Sequence, residues 1–180
     1  MKSATKLRKD NIAEYLLYMW QIEDMLRAFH FNVDAISQQV LDGMPEEERK
    51  QEEQWLTELA DMMHQEGVTE QGHLQINQNV MQEMTELHNT LLASPKFPYY
   101  SAAYYNALPF IVELRAKAGN QAAPEIETCF LALYGELMLK LKRETVSEGT
   151  QEALQTITRF IVMLAEYYHD EKEGKLKIED

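Results

Sequence analysis

Apolar residues recur along nearly the whole chain every three or four positions and alternate nowhere, so the pattern is helical throughout. The stretch Asn11 to Ala28, NIAEYLLYMWQIEDMLRA, shows it best. Wound at about 100° per residue, it places Ile12, Tyr15, Leu16, Met19, Ile22, Leu26 and Phe29 on one face. Glu23 falls among them, between Met19 and Leu26. A carboxylate in that seam is expected to be buried and hydrogen-bonded, because leaving it unpaired would outweigh much of a marginal fold's stability. Arg27 one turn on, His88 or Asn77 across the core, Arg115 and the tyrosine hydroxyls are its candidate partners.

Turn and cap residues divide the pattern into seven segments. The first predicted helix runs from about Thr5 to His30, and Asn32 caps a short second one ended by Gly43. Pro45 opens the third, where Glu46, Glu47 and Glu48 complement the positive end of the helix dipole. The fourth starts at Thr69 and carries His73, Asn77, Val80, Met84, Leu87 and His88 on its seam. The fifth, after Pro98, carries Tyr100, Tyr104, Ala107 and Ile111. Pro109 lies about 200° from Ala107 on the opposite face, so one kinked helix is expected rather than two. The sixth begins at Pro124 and is apolar nearly all round, which places it at the centre of a bundle or against a partner chain. Thr145 and Glu148 fit a capping box for the seventh. The expected fold is all-α, a single-domain bundle of six or seven helices over residues 1–180, with frayed tails at 1–4 and 172–180.

The opening helix, the continuation Leu87-His88 to Leu92 and the run Tyr104 to Leu114 resemble an uncharacterised family of Bacteroidetes proteins of this length. The resemblance covers the whole chain. It implies a compact helical protein of bacterial origin and brings no catalytic residue, because the family is known only as a domain of unknown function.

Charge narrows the partners. With 30 acidic against 17 basic residues the formal charge is −13, which repels nucleic-acid backbones and anionic membrane surfaces. The basic cluster Lys2, Lys6, Arg8, Lys9 reads as a solvated first turn. Cys129 is the only cysteine and lies in an apolar run, as a small buried hydrophobe would. Glu136 interrupts the longest apolar run and the N-terminus lacks a signal-peptide core, so a cytoplasmic protein that neither spans nor binds a membrane is expected.

Chemistry has few footholds. Asp61–His64, Glu70–His73 and Glu166–His169 have the acidic-x-x-His spacing of bundle metal sites. Two of these pairs project away from their apolar stripes, so neither a metal nor a cofactor is expected. The polar seam residues Glu23, Asn77 and His88, with the seam tyrosines Tyr100 and Tyr104, are the candidate binding residues. His30 shares the first seam, while Phe97, Tyr99 and Tyr105 are candidate exposed aromatics. No nucleophile turn or phosphate loop is present. The favoured reading is a non-enzymatic interaction or regulatory module that meets a second copy or another protein through an apolar helix face. The alternative is a small-molecule-binding protein, or an unrecognised enzyme, with a pocket near Glu23 and His88. An enclosed cavity of a few hundred Å³ at Glu23 would favour the second, and a filled core there the first.

Overall fold

Helices in this chain start where a side chain can serve the unpaired N–H groups of a first turn. The computed structural model describes residues 3–178, and Asn11 governs the first break. Its N–H donates to the Leu7 carbonyl at 2.7 Å, closing α1 (Ala4–Asp10). Its Oδ1 accepts from the Glu14 N–H at 3.1 Å, opening α2 (Ile12–Ala28). The expected first helix is therefore two. Asn32 caps α3 (Val33–Gln39) by accepting from Ala35 N at 3.0 Å. Then follow α4 (Glu46–Gln65), α5 (Gln75–Ala93), α6 (Pro98–Ala118), a 3-10 turn (Gly119–Gln121), α7 (Glu125–Leu141) and α8 (Glu148–Lys172). These eight helices are the expected segments with the first one divided, and no strand occurs among the described residues.

Two boundaries differ from expectation. The α5 helix begins at Gln75 rather than Thr69, because Gly67 and Gly72 adopt φ of +71° and +88° and hold the preceding segment as a loop. Ser147, not Thr145, caps α8, accepting from Thr150 N at 3.3 Å. The α6 helix, as expected, runs as one helix through Pro109, which is exposed as its helical position requires.

One continuous core joins the helices, from Ile12 to Tyr168. The α8 helix packs against α2, α5, α6 and α7 and buries Ile157, Phe160 and Leu164 completely. The α7 helix, expected near the centre, packs against α2, α5, α6 and α8 but is enclosed only over its first half. Its first half buries Ile126, Cys129 and Phe130, but Leu131 and Leu141 are exposed and its last two turns lie along the surface. At the C-terminal end, Leu176 and Ile178 pack against the core where a frayed tail was expected. Residues 1, 2, 179 and 180, with Lys2 of the basic cluster, lie outside the described residues. No helix among those described is long and apolar enough to cross a membrane.

Candidate functional site

Glu23 is completely buried and fully partnered. Its Oε1 accepts from the Leu74 N–H at 3.1 Å and from the Asn77 side-chain amide at 2.8 Å. Its Oε2 lies 2.7 Å from Nδ1 of His73. Tyr15 extends the network by donating to Asn77 Oδ1 at 3.0 Å.

The local sequence explains this convergence. The α5 helix has no side-chain cap of its own and no acid in its first turn. Two carboxylates from other segments supply what it lacks: Glu23 accepts from Leu74 N, and Glu66 accepts from Gln75 N at 2.8 Å. The N-terminal end of the helix dipole favours both charges. Arg27, one turn beyond Glu23, does not pair with it. It donates to the carbonyls of Val68 at 2.9 Å and Gly72 at 2.5 Å, and so pins the loop that presents His73. Asp24 holds that guanidinium at 2.9 Å.

His73 is thereby fixed from two sides. Glu23 engages Nδ1, and the ring stacks on Trp20 with centroids 4.4 Å apart and planes 14° from parallel. Trp20 in turn meets the edges of Phe130 and Tyr134 of α7. The Tyr134 hydroxyl donates to Asp24 at 2.5 Å, and burial pushes its pKa above the ordinary phenol value.

A cleft of about 500 Å³ opens beside this dyad, lined by Trp20, His73, Asn77, Gln78 and Met81 and by Glu127 of α7. The His73 side chain remains 28% exposed while that of Glu23 is 1% exposed. Since Nδ1 is committed to the carboxylate, Nε2 is the ring nitrogen left for a ligand. A carboxylate-oriented imidazole of this kind can exchange a hydrogen bond or a proton with a bound molecule. It has no nucleophile to activate in Cys129, a completely buried thiol whose pKa burial pushes up to about 12.

The sequence-predicted site residues form two groups. Glu23 and Asn77 meet, as above. His88, Tyr100 and Tyr104 form a separate aromatic knot, in which the Tyr100 hydroxyl lies 2.6 Å from His88 Nδ1 and both tyrosines and Phe160 pack on the imidazole. Burial lowers the His88 pKa, with Glu125 opposing it. Tyr104 donates to Glu125 at 2.9 Å, and burial followed by that carboxylate raises its pKa to about 12. Among the described residues no hydrogen bond or ring contact joins the two groups. The acid–imidazole pair that forms is Glu23 with His73.

His73 was placed on the seam of the fourth predicted helix but not among the candidate partners of Glu23. The structure puts it in a loop, with Glu70 exposed. Gly72 immediately before it was the available signal. Asp61, His64 and Glu166 are exposed as expected. His169, expected to face solvent, instead is half-buried and accepts from the Ile12 N–H at 3.0 Å, serving the first turn of α2. His30 lies past the end of α2 and is exposed. Phe97 is buried against Tyr167, whereas Tyr99 and Tyr105 are exposed. No group of three or more His, Cys, Asp or Glu side chains suited to a metal occurs among the described residues.

No curated protein and no solved structure matches the chain. A family model does, over residues 1–175. With its span covering nearly all of the helical fold, the chain belongs to the family described as Domain of unknown function (DUF4924).

Proposed function

We propose that this protein binds a small molecule in the cleft beside His73. The carrying observation is the combination of a pinned, part-exposed imidazole with an adjoining cleft of about 500 Å³. That volume lies in the range of small-ligand sites, and a few convergent polar groups on an apolar floor are their usual makeup. Glu23 itself sits in a filled core, which favours the interaction module; the binding reading rests instead on His73 and the open cleft in front of it. The cytoplasmic setting suggested by the sequence accords with the buried, unpaired thiol of Cys129.

The two tryptophans, Trp20 and Trp55, permit a direct test. In a Trp55→Phe background, Trp20 emission reports the cleft alone. Screening a small-molecule library should yield at least one saturable ligand, whose binding is lost when Gln82→Phe fills the cleft from an exposed position. A full screen with no saturable, Q82F-sensitive response would refute the reading.

A second reading, a homodimer, rests on the outer face of α6. Ala102, Tyr105, Pro109, Val112 and Ala116 follow one another at alternating steps of three and four, all exposed and none charged. Such a seam suits an antiparallel second copy. Light scattering tests it: a dimer mass that reverts to monomer in Tyr105→Glu supports it, and a monomer mass at tens of micromolar refutes it.

A further inference from the structure

Resting on the binding reading above, we infer that the cleft's ligand is an organic cation bearing an amino or guanidino group.

The argument begins with the balance of charge. No lysine or arginine lines the cleft, and its ionisable residues are His73 and Glu127. His73 faces the buried Glu23 carboxylate at 2.7 Å, so even a protonated imidazole forms a pair of no net charge. Glu127 is different. It is half-buried and takes part in none of the ion pairs among the described residues. The N-terminal end of α7 favours its charge, but that dipole leaves the cleft with one uncompensated negative charge.

The hydrogen-bonding groups point the same way. The Gln78 amide nitrogen donates to the His73 carbonyl at 2.8 Å, and that of Gln82 donates to Glu86 at 2.9 Å. Because a carbonyl and a carboxylate can only accept, the amide orientation is fixed in both residues. Each therefore has an oxygen that none of the hydrogen bonds among the described residues engages. Asn77 is committed at both ends, to Glu23 and to Tyr15. Beside His73 Nε2, the lining offers a ligand glutamine amide oxygens and the Glu127 carboxylate, a set that suits a donor-rich cation and disfavours a carboxylate or phosphate. The chain's net charge of −13 adds a long-range attraction for the same class.

Four probes of matched size separate the possibilities: butylguanidinium, butylammonium, butanol and butyrate, titrated against the full Trp55→Phe chain and read by Trp20 emission. Both cations are expected to bind saturably and at least tenfold tighter than butanol or butyrate. Glu127→Gln, at a helix-surface position, should weaken cation binding at least tenfold. Glu113→Gln, on α6 and outside the cleft, should leave it unchanged and so control for attraction to an acidic surface. Equal binding of butanol or butyrate, or an unchanged cation affinity in E127Q, would overturn the cation assignment. So would a library ligand that binds in the cleft without a cationic nitrogen, although the binding reading would then stand. Saturable cation binding that survives Q82F would place the cation outside the cleft and overturn the assignment as well.

Discussion

Glu23 is the residue on which the site and much of the local structure depend. It accepts from three groups drawn from one loop and the start of one helix. Glu23→Ala would leave all three donors facing an apolar gap, and is expected to cost about 3 to 5 kcal/mol of stability. Glu23→Gln retains one acceptor oxygen but turns an NH₂ towards a donor, so a smaller loss of about 1 to 3 kcal/mol is expected. Urea unfolding measures both, and a variant Ala protein as stable as the parent would show that the network contributes nothing. Cys129 offers a second check. With its thiol pushed up to about 12 and completely buried, it should react with a disulfide reagent at pH 8 only as fast as the chain unfolds. Reaction at the rate of a free thiol would mean that the α7 core opens locally. Periodicity alone made Glu23 legible as a buried acid, since Met19 and Leu26 bracket it. It put His73 on an apolar seam but could not reveal its pairing with Glu23, because that approach depends on a loop pinned by Arg27, 45 residues before Gly72 in the chain.

At the scale of elements, the boundaries written in glycine, proline and asparagine were legible, and those set by tertiary contacts were not. Gly43, Pro45 and Pro98 punctuate the chain where helices change. Asn11 was passed over because the apolar stripe continues on both sides of it, although its side chain is well suited to a cap. Asn11→Ala should remove the bond to Glu14 N and destabilise the chain by about 1 kcal/mol. Thermal unfolding would show it as a drop of a few degrees, and no drop would mean that packing alone holds the break. Pro109 poses the opposite case. It sits exposed inside α6 without the N–H that would reach the Tyr105 carbonyl. Pro109→Ala restores that donor, partly offset by greater freedom of the unfolded chain, and should stabilise by about 1 to 2 kcal/mol. Denaturation at equal or lower denaturant would show that the helix has already absorbed the proline.

The whole molecule is where sequence reasoning had least purchase. An apolar circumference on α7 was read as centrality, yet periodicity reports which faces are apolar and not which neighbours cover them. The α8 helix, with an ordinary amphipathic stripe, shares the middle with the first half of α7, since α2, α5 and α6 pack on both. That packing encloses His88, whose pH behaviour follows from its surroundings. The ring is 2% exposed, faces Tyr100, Tyr104 and Phe160, and feels a single opposing charge from Glu125. Burial lowers its folded pKa below the unfolded value of about 6.5. The unfolded chain therefore binds a proton that the folded chain resists. The stabilising contribution is fully present above about pH 6.5 and is lost as pH falls from there towards the lowered folded pKa. His88→Asn keeps an acceptor near the position of Nδ1 for the Tyr100 hydroxyl but cannot titrate. Unfolding free energies measured from pH 8 to pH 5 should fall less steeply for H88N than for the parent, because the other histidines titrate equally in both. Parallel curves would mean that His88 takes its proton as readily inside the bundle as outside it, which the aromatic knot around it does not permit.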